Sequence, residues 1–303
     1  MKKIIIAGGS GFLGKSIIHH FDENEFEFVI LSREYFDTHK KNCVVKLWDG
    51  KNIGDWKSEL EGAVAVINLS GKSINCRYTD ENKRLILSSR IDSTNAIGKA
   101  IEQCLNPPEV WMNASAATLY KYTETKNHDE TSVEFNDDFS SNVCMEWERA
   151  FDNFKLKKTR KIILRISIVL GKNEGAFSRL ASITKLGLGG KQGNGKQFVS
   201  WIHIDDYCRA IHFFIKNKLT KGIYNISTDN PVTNSDLMKT FRKKYHVPIG
   251  LPAPEFLLKI SMKLIGTEPE LILKSRRVVP KKMLGEGFTF LHPTIDSAIE
   301  NLI

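Results

Sequence analysis

Gly8-Gly9-Ser10-Gly11-Phe12-Leu13-Gly14 is the stretch on which the fold reading turns. A run of buried-strand character, Ile4–Ala7, leads into it, and a helical pattern, Phe12–Phe21, leaves it. Glycines permit turns at positive φ and let the backbone approach a ligand closely. A helix N-terminus offers unpaired N–H groups and a partial positive charge to an anion. Strand, glycine loop and helix in that order describe a cradle for the pyrophosphate of a dinucleotide. The residues expected to line it are Gly8, Ser10, Gly11, Phe12, Leu13 and Gly14.

Working outward, strand-like and helix-like segments alternate. Glu27–Leu31, Val44–Leu47, Val64–Leu69, Val110–Ala114 and Ile162–Val169 read as strands. Thr79–Cys104 and Asp138–Phe154 read as helices. Alternation of this kind predicts a parallel sheet covered on both faces, with ligands at the carboxyl ends of its strands. Beyond residue 170 the pattern changes. Gly187–Gly195 is glycine-rich, and Pro248, Pro252, Pro254, Pro269 and Pro280 punctuate short helices. The expected class is α/β: a Rossmann doubly wound parallel sheet with a smaller C-terminal α+β lobe. Residues 1–170 form the nucleotide domain, with 201–227 returning to it through Gly222–Ile226, and 171–200 and 228–303 form a substrate lobe.

Composition sets the outer limits. At 303 residues, 41% hydrophobic and 26% charged, the chain has the balance of an ordinary soluble protein. No apolar run approaches the roughly 20 residues that span a bilayer, so no membrane is expected. The first residues lead straight into a strand, so no signal peptide is expected. The five cysteines, Cys43, Cys76, Cys104, Cys144 and Cys208, are scattered without a C-x-x-C. Neither zinc nor a disulfide framework is indicated, which fits reduced thiols in a cytoplasmic protein. The formal net charge of +9 is spread along the chain without a nucleic-acid motif. Attraction for small anionic ligands is expected, and nucleic acid is not.

The end of the second strand selects between cofactors. An acid there favours NAD, and a cation favours NADP. The chain places Leu31-Ser32-Arg33-Glu34 at this point. Arg33 can pair with a 2′-phosphate, with Ser32 adding a hydroxyl. NADP is expected, with NAD as the alternative because Glu34 lies one residue on.

These features resemble the short-chain dehydrogenase/reductase (SDR) superfamily. The glycine loop is similar to that of extended members. Asp49, in Leu47-Trp48-Asp49-Gly50, matches their adenine-contacting position. Asn68-Leu69-Ser70-Gly71 resembles the segment that lies along the cofactor, which implicates Leu69, Ser70 and Gly71. Ser115-Ala116-Ala117-Thr118-Leu119-Tyr120 resembles the strand with the catalytic serine. More narrowly, five segments resemble the atypical "epimerase family" with a C-terminal extension: Ser89–Thr94, Gly187–Gly190, Gly193–Gln197, Trp201–Asp206, and Arg277–Pro280 before Gly287–Phe290. That resemblance covers nearly the whole chain and implies nucleotide-sugar epimerase or oxidoreductase chemistry.

The resemblance also exposes a gap. Active members carry Tyr-x-x-x-Lys on the helix after the serine strand, the tyrosine moving a proton with its pKa tuned by the lysine. With Glu148 aligned to the acid that follows, Ser140 takes the tyrosine position and Cys144 the lysine position. A formal match, Tyr122–Lys126, falls in an expected loop, where two residues four apart do not align as they do on a helix. The remaining catalytic candidates are Ser115, which can hydrogen-bond a substrate carbonyl, and Tyr120, which can replace the missing acid. Arg90 stands where extended members have a structural asparagine, and can hold a diphosphate or an anionic substrate. His203 and Arg277 are candidate substrate contacts. Two functions follow: an NADP-dependent reductase, dehydrogenase or epimerase of small molecules, or a non-catalytic NADP-binding sensor or scaffold. Either is compatible with a monomer or a homodimer.

Overall fold

The computed structural model describes residues 1–172, 174–265, 268 and 273–303, with the backbone alone at 261–265. Pro269, one of the punctuating prolines, lies outside the described residues.

Strict alternation in the first strand explains the architecture. In β1 (Lys2–Ala7), Ile4 and Ile6 enter one core, while Ile5 and Ala7 enter another on the opposite face. Successive strand residues point to opposite faces, so the four consecutive apolar residues Ile4–Ala7 require cover on both. Six further strands join it: β2 (Phe26–Ser32), β3 (Cys43–Leu47), β4 (Ala65–Asn68), β5 (Val110–Ala116), β6 (Arg160–Ile166) and β10 (Gly222–Ile226). The resulting seven-stranded parallel sheet has the order β10-β6-β5-β4-β1-β2-β3. Helices α1 (Phe12–His20) and α5 (Ile204–Lys216) cover one face. The other is covered by α2 (Asp80–Glu102) and α3 (Phe139–Asp152). This is the doubly wound Rossmann arrangement. Gly222–Ile226 returns to the sheet as expected, in register with Ile162–Ile166.

One strand differs from expectation. Ile162–Val169 is two strands, not one. Through Ser167, whose N–H donates to the Ile226 carbonyl at 3.0 Å, the chain still follows β10. From Ile168 it leaves the sheet as β7 (Ile168–Gly171) and pairs with β9 (Trp201–His203). Both halves are rich in β-branched residues, so the composition does not register the change of partner.

Beyond β7 stands a smaller core of its own. Phe177, Leu237, Phe241, Ile295 and Ile299 are buried together there. They come from α4 (Gly175–Ile183), α6 (Asn234–Lys244) and the C-terminal helix Ile295–Leu302. A two-stranded antiparallel ribbon joins β8 (Phe198–Val199) to β11 (Val232–Thr233). Among the described residues, no helix is long and apolar enough to cross a membrane.

Candidate active site: an open nucleotide cradle and a closed polar network

The glycine loop sits at the carboxyl end of β1, against β2 and β4. Gly8 has φ +79°, and a Cβ there would meet the Leu69 carbonyl carbon and oxygen at 2.9 Å. The loop therefore lies directly on the Leu69–Ser70 backbone. Gly14 packs so closely that a Cβ would stand 2.5 Å from the Gly9 Cα. Helix α1 begins at the Gly11 N-cap, and no side chain caps it. Its first N–H groups therefore face the loop with no internal acceptor, which leaves them to an anion. A dinucleotide diphosphate fits this cradle. Phe12 and Leu13 turn inward and pack on the core, while Ser10 is exposed.

The adenosine end follows from strand register. The Trp48 N–H donates to the Ser32 carbonyl at 2.8 Å, which brings the ends of β2 and β3 together. Arg33 is exposed and forms no ion pair or hydrogen bond among the described residues. The Ser32 hydroxyl accepts from the Glu34 N–H at 3.3 Å. The Asp49 carboxylate accepts from the N–H groups of Asn52 and Lys51, and these bonds lower its pKa. Asp49 thus shapes its own turn.

The strand ends are locked by a hub around Asn68. Its amide donates to Asn113 Oδ1 at 2.8 Å and to Thr94 Oγ1 at 3.2 Å. Its Oδ1 accepts from the Ser70 N–H at 3.1 Å. Trp147 Nε1 also donates to Thr94, at 2.9 Å. β4, β5, α2 and α3 are thereby tied at one point, and Leu69–Gly71 is held beside the glycine loop.

The serine end is different in kind. Ser115 is buried, and its hydroxyl donates to Glu148 Oε1 at 2.6 Å. Glu148 in turn takes two bonds from Arg165, from Nε at 2.9 Å and from Nη2 at 2.7 Å. Arg165 Nη1 donates to the Tyr120 hydroxyl at 2.9 Å, and that hydroxyl donates to Asn225 Oδ1 at 2.8 Å. Asn225 Nδ2 reaches the Val279 carbonyl at 3.0 Å. Burial opposes the Arg165 charge, but the Glu148 carboxylate overrides it and raises its pKa. Tyr120 is fully buried and stacks on His128 with ring centroids 5.3 Å apart. Burial raises its pKa against the pull of Arg165.

This geometry places both catalytic candidates inside the network. A hydroxyl has one proton, and Ser115 gives its proton to Glu148. Tyr120 is buried with its hydroxyl bonded on both sides, to Arg165 and to Asn225. No local sequence signal joins Glu148, Arg165 and Asn225 into a network, because their partners are distant in sequence.

Other candidates are also placed. His203 is buried, and its Nδ1 accepts from the Asp205 N–H at 3.1 Å, so the imidazole is the N-cap of α5. Its ring lies 3.9 Å from that of His292. Burial, then the His292 charge, push its pKa down to about 4. His203 is thus a buried cap at the start of α5. Asp206 does not cap α5; it accepts from the N–H groups of Leu291 and His292. Arg277 Nη1 donates to the carbonyls of Glu124 and Thr125 at 3.3 and 3.2 Å, and the guanidinium covers the Phe198 ring. It fastens that loop to the C-terminal segment. Tyr122 and Lys126 are not paired: Tyr122 donates to Asp138, and Lys126 to Glu134.

At the positions of the missing pair, Ser140 and Cys144 are both buried. Burial, then the Glu148 charge, push the Cys144 thiol up to about 11. Tyr78, from the loop before α2, brings its hydroxyl 3.3 Å from the Ser140 Oγ, with its ring packed on Phe139. No sequence signal marks Tyr78, since loop geometry alone delivers it. A cavity of about 1150 Å³ lies elsewhere. It is lined by Glu130, Arg160, Lys161, Gly222 and Lys282, around the amino ends of β6 and β10. Ligands of such sheets bind at the carboxyl ends, so the cavity is set apart from the cradle.

Taken together, the sheet order and the glycine cradle define an SDR-type Rossmann protein built for a nicotinamide dinucleotide. The sequence pattern of the NAD dependent epimerase/dehydratase family matches residues 4–227, and the chain belongs to that family. Residues 253–302 match a domain of unknown function, DUF1731. The epimerase family protein YfhF of Bacillus subtilis is 32% identical over 300 residues, covering 99% of this chain and 97% of its own. Epimerase family protein SH2119 of Staphylococcus haemolyticus is 32% identical over 305 residues, covering 100% of this chain and 99% of its own. Among solved structures, the human epimerase family protein SDR39U1 (isoform 2), determined with NADPH, superposes with a TM-score of 0.88 at 25% identity. That match covers 99% of this chain and 98% of the human one. UDP-glucose 4-epimerase of Thermus thermophilus, in complex with NAD, shares the fold at 14% identity and a TM-score of 0.73, covering 99% of this chain and 98% of its own.

Proposed function

We propose that the chain binds NADP(H) and carries out hydride transfer on a small, anionic hydroxyl or carbonyl substrate, as a reductase, dehydrogenase or epimerase. The observation that carries this reading is the combination of an uncapped α1 N-terminus with an exposed Arg33 at the end of β2 that has no partner among the described residues. The diphosphate would sit on the N–H groups after Gly11, and the 2′-phosphate on Arg33 and Ser32. The human relative solved with NADPH supports the same choice.

When bound, the cofactor supplies hydride exchange at the nicotinamide ring. The chain would supply position and a proton route. The Leu69–Gly71 backbone fixes one wall of the trough. The Tyr78–Ser140 hydroxyl pair stands where the missing tyrosine would act. Residues 171–200 and 228–303 would close over the substrate.

The test has two parts. Calorimetric titration should show NADPH binding at least tenfold tighter than NADH. Incubation of the loaded protein with carbonyl compounds and nucleotide sugars should then give loss of NADPH absorbance or an epimerised product. Equal affinity for the two nucleotides would remove the NADP assignment. Tight binding without any product would remove the enzymatic one.

A further inference from the structure

Arg90 is a half-buried cation without a counter-ion among the described residues. It projects from α2 onto the segment that follows β4. A Cβ at Gly71 would stand 3.0 Å from the guanidinium carbon, so the cation lies flat on the Gly71 backbone. Its other face covers the Trp147 ring at 5.1 Å. Nη1 is spent internally, donating to the carbonyls of Ile86 at 2.8 Å and Lys72 at 3.1 Å. These bonds fix the orientation of the plane. Nε and Nη2 have no protein acceptor among the described residues, and neither is among the sealed polar atoms. No carboxylate lies within ion-pair reach among the described residues. Burial lowers the pKa of the group, and the neighbours that act against this are a thiol and a phenol, Cys144 and Tyr78, not carboxylates.

Half-buried charges are normally paired, because an uncompensated one forfeits hydration without return. Arg165, in the same domain, shows the usual solution with Glu148. Arg90 instead presents an open guanidinium edge. It does so beside Gly71, hence beside the glycine loop, and within electrostatic reach of Cys144, which occupies the position of the missing lysine. A planar two-point donor of this kind matches a carboxylate or a phosphate.

We propose that Arg90 is the anion-binding residue of the substrate site, and that the substrate carries a carboxylate or phosphate that docks on its Nε–Nη2 edge. This rests on the NADP(H) reading above and specifies its substrate class. The same chemistry has a second source, the diphosphate of the cofactor, and the experiment separates the two.

NADPH-loaded protein is titrated calorimetrically with oxalate, with inorganic phosphate and with neutral oxamide. NADPH affinity is measured separately in the wild type and in Arg90→Gln. The expected result is saturable binding of oxalate or phosphate, none of oxamide, an anion affinity at least tenfold weaker in Arg90→Gln, and an NADPH affinity unchanged within twofold. Where Arg90→Gln fails to fold, 15N spectra of the arginine side chains in the wild type read the same event. The Nε signal lost in Arg90→Lys should shift with oxalate and stay put with oxamide. Absence of saturable anion binding, or equal binding by wild type and Arg90→Gln, overturns the proposal. An Arg90→Gln protein that loses NADPH together with the anion assigns Arg90 to the cofactor diphosphate and overturns the substrate role. A wild type that takes anions but no NADPH leaves Arg90 an anion site and removes the cofactor reading instead.

Discussion

The glycine cradle and the serine network lie at the same carboxyl edge of one sheet, yet they treat their polar groups in opposite ways. At the cradle, the first N–H groups of α1 have no cap, and Arg33 has no partner among the described residues. At the network, Ser115, Glu148, Arg165, Tyr120 and Asn225 consume one another's hydrogen bonds. A buried polar group left unpaired costs free energy, so a fold retains open donors where a ligand completes them and closes the rest. By that criterion the cradle is a binding surface and the network is a fastening. Arg90 shares its region with the fastening but has the open edge of a binding group.

Breaking the fastening should have the largest effect, and the effect should be on stability. Glu148→Ala strands the Arg165 charge, whose side chain is 5% exposed. Removing one partner of a buried pair costs about 3–5 kcal/mol. Urea denaturation is expected to show a loss of that size, with NADPH affinity unchanged while the protein stays folded. A loss below about 1 kcal/mol would mean the network is not structural.

Breaking the cradle should do the reverse. A Cβ at Gly11 would meet nothing closer than the Gly8 carbonyl oxygen at 3.5 Å, at an ordinary negative φ. Gly11→Ala should therefore melt like the wild type. A diphosphate seated on the loop would meet the added methyl, so NADPH affinity should fall at least tenfold in calorimetry. Unchanged affinity would place the diphosphate elsewhere.

A finer division lies within the cradle. Arg33→Ala should weaken NADPH about tenfold, about 1.4 kcal/mol, and leave NADH unchanged. Equal losses for both would show that Arg33 does not read the 2′-phosphate.

The smallest effect concerns His203, the cap of α5. The His203 pKa of about 4 lies below the ordinary 6.5. The unfolded chain therefore takes up the proton first. The contribution of His203 is complete above about pH 6.5 and is lost as pH falls toward 4. Melting temperature should decline across that window. The slope should shrink in His203→Asn, which keeps a capping side chain. An unchanged slope would assign the decline to other groups.

Much of the open region was legible in the sequence, and little of the closed one was. The cradle is local: seven consecutive residues, a strand before them and a helix after. Ser32 and Arg33 follow from the end of the next strand. The network joins Ser115 to a residue 33 positions away, and Tyr120 to one 105 away. No periodicity announces such partners, because strand order and register create them. The same reason hid the break at Ser167 and the delivery of Tyr78 to Ser140. The missing Tyr/Lys pair follows from the family resemblance once Glu148 is aligned, whereas the partner of Ser115 required knowing where Glu148 points.

A crystal structure of the protein grown with NADPH bears most directly on the central claim. The diphosphate should lie on the N–H groups after Gly11, with the 2′-phosphate within hydrogen-bond reach of Arg33 and the nicotinamide directed toward Gly71 and Ser140. A nucleotide seated in the cavity between Glu130 and Lys282, or in the cradle with its 2′-phosphate turned away from Arg33, would contradict it.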